Sequence, residues 1–226
     1  MLSKRFKTDL LLAIFISALV LANILGTKIT TLFGVRVSVG IFFVPLMFLV
    51  TDIISEVYGK RKAKQFVTIS VVVLIALFLA TFLAIKLPAN ATWGNQEAYQ
   101  LIFGASLRMI IASIIAFIIS QYHDVWSFHL WKKITKGKHL WLRNNASTAV
   151  SQFIDTTLFM FIAFYAISPK FTAGFIFSLI IPYWLFKVGF AIIDTPFVYI
   201  GIKWLNGKSH QQDRLNHKQE LSPQTV

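Results

Sequence analysis

The chain has 226 residues, 56% of them hydrophobic and only 14% charged, with a net charge of +13 and no cysteine. Soluble domains are about 45–50% apolar and about 25% charged, so composition sets aside a soluble enzyme and a disordered protein, and the missing cysteines set aside a disulfide-stapled secreted domain. Mean hydropathy is +0.68, and the apolar runs supply roughly the ~120 residues that six spans of ~20 residues would use.

The first run, 10–25, follows Lys4, Arg5 and Lys7 and ends on Gly26, Thr27 and Lys28. Its charge and length resemble a signal peptide, but no small-x-small cleavage site follows cleanly and further spans come after it, so it reads as the first membrane helix. The second run, 37–54, contains Pro45 and closes on Asp52 and Glu56, ahead of the basic turn Tyr58-Gly59-Lys60-Arg61-Lys62. The third, 66–87, is almost uninterrupted Val, Ile, Leu, Phe and Ala. A polar stretch with Pro88, Trp93, Gly94 and Glu97 precedes the fourth, 101–119, which holds Arg108 and is predicted to continue amphipathically past Gln121 and Asp124 towards Trp131. A strongly basic loop, 132–143, leads to the fifth run, 142–167, whose first half carries Asn144, Asn145, Ser147, Ser151, Gln152, Asp155 and Thr156. The sixth, 171–205, is too long for one straight span; Pro182 and Pro196 can kink or divide it, with Lys187 and Asp194 between them. Residues 206–226 are polar and read as a disordered tail, leaving 1–8 as a short N-terminal segment and 9–205 as one membrane domain.

A basic balance this strong can signal nucleic acid, but here Lys and Arg gather between the apolar runs, which is a topology signal instead. The N-terminus, the second and fourth loops and the tail together hold sixteen Lys and Arg, the alternate loops four, and Arg108 and Lys187 lie within spans. The positive-inside rule then places both termini in the cytoplasm. The expected fold is an all-α polytopic membrane protein with six transmembrane helices, both ends inside.

A charge at the centre of a membrane helix costs ~2.5–3.5 kcal/mol on insertion scales, so such residues face a protein interior or a watery cavity. Asp52, Glu56, Arg108, Asp124, Asp155, Lys187 and Asp194 lie in or beside spans, with Asn23, Gln121 and Gln152 among them. Asp52 and Glu56 are four apart and share a helix face; Glu56 is also placed to pair with the cations of 60–64 at the interface. Gln121 with Asp124, and Gln152 with Asp155, repeat one i,i+3 spacing. Facing each other, these pairs would offer donors and acceptors to a flat heterocycle; the plainer reading is interhelical hydrogen bonding worth ~0.6 kcal/mol per bond. Arg108 and Lys187 need partners, which Asp124, Asp155 or Asp194 could supply as structural ion pairs. Asp194-Thr195-Pro196 reads as a kink with a local hydrogen bond. No glycine-rich phosphate loop, nucleophile elbow or metal-binding histidine spacing is present, so neither a cofactor nor enzymatic chemistry is called for. His139, His210 and His217 fall in loops or the tail.

The stretch Thr51-Asp52-Ile-Ile-Ser-Glu56-Val-Tyr58-Gly59-Lys60 resembles the signature of the queuosine precursor transporter family of vitamin-uptake-like membrane proteins. So do Arg108 with Ser113, Gln121 with Asp124, Trp141-Leu142-Arg143 before Ser147-Thr148, Ser151-Gln152 with Asp155-Thr156, and Lys187 with Pro196 and Tyr199. The resemblance runs from about residue 10 to about residue 204. It implies a six-helix protein of the bacterial inner membrane that imports 7-deazaguanine precursors of queuosine, the cyano or the aminomethyl form, in a family not known to require a dedicated ATPase. A carboxylate suits the N1–H and exocyclic amine of a guanine-like edge, an amide or cation suits its O6, and aromatic side chains suit its ring face. The expected substrate-binding set is Asp52, Glu56, Arg108, Gln121, Asp124, Gln152, Asp155 and Lys187, with a small planar heterocycle and the lipid bilayer as partners, no nucleic acid directly, and a homodimer left open. A secondary carrier or facilitator leads. The substrate-binding subunit of an ATP-driven importer is the alternative, and an intramembrane enzyme is disfavoured by the lack of a nucleophile or metal site.

Overall fold

The computed structural model describes residues 2–32, 34–166, 169 and 171–207; Lys170, His210, His217 and the expected tail beyond Gly207 lie outside them. Six helices are long and apolar enough to cross a membrane, so the chain is an all-α, multi-pass membrane protein. They are α1 (Lys4–Leu25), α2 (Val44–Tyr58), α3 (Lys60–Lys86), α4 (Gln96–Ile134), α5 (Leu140–Phe164) and α6 (Ala173–Asn206), with strands β1 (Ile29–Leu32) and β2 (Val35–Ser38) between α1 and α2.

Local chemistry sets several boundaries. Ser3 caps α1 by accepting from the Phe6 amide, and Thr172 caps α6 by accepting from Phe175. Only Gly59, with φ of 80°, separates α2 from α3; side chains rarely tolerate that backbone region, and glycine does. Pro45 stands in the first turn of α2, where its missing N–H leaves no intrahelical bond unmade. The expected second span therefore starts later than residue 37: β2 and a 3₁₀ turn (Val39–Phe42) occupy that part of the run. The strands pair antiparallel, Ile29 opposite Ser38 and Leu32 opposite Val35.

The expected continuation of the fourth run to Trp131 is one helix of 39 residues, about 58 Å long at 1.5 Å per residue against a hydrocarbon core of ~30 Å. The sixth run is not divided. α6 passes through both Pro182 and Pro196 as one 34-residue helix, and each proline leaves the carbonyl four residues before it without its usual amide partner.

The bundle is apolar outside and mixed inside. Val72, Ile75, Leu79 and Leu83 form an exposed stripe on α3 at helical spacing, the face suited to lipid. Inside, Phe15 packs on Phe66 and Phe117 with ring centroids 6.3 and 6.1 Å apart, while Asp52, Gln121, Asp124, Arg143, Gln152 and Lys187 are also buried. α4 lies along α5, α5 along α6, and α6 against α2. At one end the Lys7 ammonium of α1 donates to the Trp204 carbonyl of α6 and sits 5.1 Å from that indole.

Candidate functional site

A cavity with about 730 Å³ of empty space lies beneath the β1–β2 hairpin. All five other helices than α3 contribute to its wall, joined by the hairpin base at Ser38 and Gly40. The hairpin is held there by local chemistry. Ser38 donates its hydroxyl to the Gly26 carbonyl and accepts from the Gly40 amide at 3.1 Å. Its own amide donates to the Tyr183 hydroxyl at 2.8 Å. A Cβ on Gly40 would stand 2.8 Å from the Ala22 carbonyl oxygen and 3.3 Å from the Gly26 Cα, so only glycine lets the 3₁₀ turn rest on the end of α1.

The charged pair in this wall is Lys187 and Asp155. The Lys187 ammonium donates to Asp155 Oδ2 at 2.9 Å, and the Ser120 hydroxyl donates to Oδ1 at 3.2 Å. The lysine side chain is 5% exposed and the aspartate 17%. Withdrawn this far from water, the two opposite charges compensate each other. Lys187 also stands 6.0 Å from the Tyr183 ring centroid, and Phe48, Phe117 and Phe159 add aromatic surface to the wall. The cavity thus offers an acceptor, a donor and ring faces in one space, the inventory that fixes a planar polar solute.

Further along the bundle lies a layer of uncharged and acidic polar groups. Asp52 Oδ2 accepts from Thr148 at 3.3 Å, and Thr51 donates to Gln121 Oε1 at 3.1 Å. Asp124 lies close enough to Asp52 to feel its charge, with the Ser147 and Ser151 hydroxyls beside it. A second, much smaller cavity is lined by Asp52, Asn144, Thr148, Gln152 and Asp194 among others. Near the basic end of the bundle, Glu56 meets Lys132 at 3.0 Å and Arg143 at 3.2 and 3.4 Å. The Arg143 guanidinium also lies 5.4 Å from the Phe128 ring.

The eight expected site residues therefore fall into five places. Asp155 and Lys187 line the larger cavity, and Asp52 and Gln152 line the smaller one. Gln121 and Asp124 are buried in the polar layer without lining either of these cavities, and Glu56 belongs to the ion-pair cluster. Arg108 departs furthest: it takes no carboxylate, donating instead to the Ile162 and Tyr165 carbonyls at 2.9 Å each, where α5 ends and carbonyls lack helical partners. Glu56 is likewise matched with α4 and α5, not with the cations at 60–64, because the helix ends carrying Lys132 and Arg143 converge on it. In the Asp194-Thr195-Pro196 segment the local hydrogen bond belongs to Thr195, which donates to the Ala191 carbonyl and accepts from Asn145.

Arg143 stands in the Trp141-Leu142-Arg143 motif but is counted with the basic loop and not with the expected site, although its side chain is 1% exposed; Ser38, Tyr183, Phe48 and Phe159 are missing from the expected site as well. The aromatic residues gave no signal among 22 phenylalanines. Ser38 could have been found by reading Ile29-Thr30-Thr31-Leu32 and Val35-Arg36-Val37-Ser38 as two β-branched runs about a glycine.

Residues 38–201 match the family model described as "Putative vitamin uptake transporter". A Bacillus subtilis (strain 168) protein named "Probable queuosine precursor transporter" is 33% identical over 190 residues, which cover 83% of this chain and 81% of the relative. The chain belongs to the queuosine precursor transporter family. The Escherichia coli (strain K12) "Queuosine precursor transporter" is 25% identical over 192 residues, 84% of each chain. No solved structure matches. By the names of these relatives the family is one of transporters and not of enzymes, and this chain is a transporter. The matched segment includes Ser38, Phe48, Asp155, Tyr183 and Lys187 of the larger cavity, while the α1 part of its wall, Leu19, Ala22, Asn23 and Gly26, lies before it.

Proposed function

We propose that this chain imports 7-deazaguanine precursors of queuosine across the bacterial inner membrane, with both termini in the cytoplasm, as a secondary carrier or facilitator. The observation that carries this reading is the Asp155–Lys187 pair in the wall of an aromatic cavity. A guanine-like edge presents N1–H and an exocyclic amine, both donors, beside the acceptor O6. Asp155 would take the donors, Lys187 the O6, and Phe48, Phe117, Phe159 or Tyr183 the ring face, where stacking contributes about 1–3 kcal/mol per base. On this reading Asp52, Gln121, Asp124, Gln152, Glu56 and Arg108 support the cavity without touching the solute.

Purified protein in liposomes, given labelled 7-cyano-7-deazaguanine, tests the proposal. Saturable uptake by the lone chain is expected, with more than tenfold loss in Asp155→Asn and in Lys187→Met while membrane insertion is kept. Full uptake in both variants would remove the pair from the site. Binding that yields no uptake until an ATPase is supplied would replace the carrier with a subunit of an ATP-driven importer.

A further inference from the structure

The polar layer between the solute cavity and the Glu56 cluster holds more oxygen than its hydrogen bonds use. Gln152 is completely buried and makes no hydrogen bond through either amide atom. Asn144 Oδ1 and Asp52 Oδ1 are buried and unpartnered as well, and Asp52 keeps a single acceptor bond, from Thr148. These four residues line the same small cavity, three of them from one face of α5 at positions 144, 148 and 152. Among the described residues no ion pair reaches Asp52, Asp124 or Asp194, whereas Glu56 and Asp155 each have a cation at 2.9–3.2 Å. Native proteins seldom leave so many buried polar atoms unsatisfied together, and each such group asks for a partner.

We propose that this second cavity is a binding site for a monovalent metal cation of sodium size, held by Asp52, Asn144, Thr148 and Gln152. The donor set decides the class. All the ligating atoms are hard oxygens, the kind that alkali and alkaline-earth ions select. Among the described residues no group of three or more histidine, aspartate or glutamate side chains converges, the arrangement that a carboxylate-rich divalent site would show. Two carboxylates line the cavity with the amide and hydroxyl oxygens, Asp52 buried and Asp194 half-buried; with Asp52 alone as the ligand, as proposed, one carboxylate balances one positive charge. The Gln152 side chain would present its oxygen to the ion and leave its amide nitrogen to face Asp124 or a neighbouring hydroxyl. His123 reaches the layer only through Ser151, at 2.9 Å. The site is separate from the Asp155–Lys187 pair, and its existence does not depend on which solute the larger cavity takes. Bridging α2 and α5, it would tie ion occupancy to the packing of the helices that wall the larger cavity.

The test is a melting curve of the full chain in detergent at fixed pH, with NaCl exchanged for choline chloride at constant ionic strength, alongside equilibrium binding of radioactive ²²Na⁺. A saturable rise in Tm is expected, about 5 °C or more at a hundredfold excess over half-saturation, with matching saturable ²²Na⁺ binding. Asp52→Asn and, as a milder change, Thr148→Val should each weaken binding at least tenfold, while Asp155→Asn keeps it. Equal curves in sodium and choline, with no saturable ²²Na⁺ binding, overturn the proposal. A saturable response to Ca²⁺ in place of Na⁺ overturns the monovalent assignment, and loss of binding in Asp155→Asn would move the ion to the larger cavity.

Discussion

Replacing Glu56 by glutamine tests whether the cluster at the basic end of the bundle is a structural clamp. Glu56 faces two cations of different character: Arg143 is 1% exposed and Lys132 is 33% exposed. Breaking a buried pair by removing one partner costs about 3–5 kcal/mol, because the remaining charge is left uncompensated. Glutamine keeps an oxygen for the guanidinium, and Glu56 itself is 22% exposed, so solvent screening brings the expected loss to about 2–3 kcal/mol. For a chain of this size that lowers Tm by about 4–12 °C. Six tryptophans, Trp131 beside Lys132 among them, report unfolding in detergent without an added dye. Lys132→Met should cost under about 1 kcal/mol, since Arg143 still neutralises Glu56 and the lysine is partly in solvent. The double variant Glu56→Gln with Arg143→Met should regain part of the loss, because no buried charge then lacks a partner. Equal shifts from Glu56→Gln and Lys132→Met, or a double variant less stable than Glu56→Gln alone, would refute the assignment of the energy to the buried arginine.

Gly40→Ala should destabilise by about 1–3 kcal/mol, as inserted core atoms do, since its Cβ meets backbone atoms that cannot step aside; Gly104→Ala, in a helix with nothing within 4 Å of the new atom, should instead stabilise by about 0.5–1 kcal/mol, and the two melting curves check both signs. Tyr183→Phe removes the acceptor of the Ser38 amide and should cost about 0.5–1.5 kcal/mol, with faster hydrogen exchange at that amide as its specific readout. Arg108→Met should lower Tm by a few degrees and raise exchange at the C-terminal end of α5, whose carbonyls it binds, while leaving the Km for uptake within about twofold; a large rise in Km would return Arg108 to the solute site.

The six spans were legible because hydrocarbon demands long apolar runs, and even the irregular fifth one shows its apolar half. Boundaries were less so. A run counted from residue 37 cannot distinguish a short β-strand from the head of a helix, since Val35, Val37, Val39 and Ile41 suit either. The paired Gln–Asp spacing misled for a geometric reason. Residues three apart on a helix differ by about 60° in direction and ~4.5 Å in height, enough for Gln152 to line the smaller cavity while Asp155 lines the larger one. Arg143 looks like any loop cation in sequence; only the approach of Glu56 and Phe128 from two other helices removes it from water. Lys187 was legible for the opposite reason, standing deep inside an apolar run where a charge needs a stated cause.

Tyr183 and Lys187 stand one helical turn apart on α6, the first fastened to the Ser38 amide and the second to Asp155. A rotation of α6 that draws the ammonium away from its carboxylate must also swing the phenol, so the extracavity ribbon and the charged pair share one lever. Because the chain lacks cysteine, a single thiol introduced at exposed Ile29 could carry a spin label that reads this movement from outside, turning the ribbon into a built-in gauge of what happens beneath it.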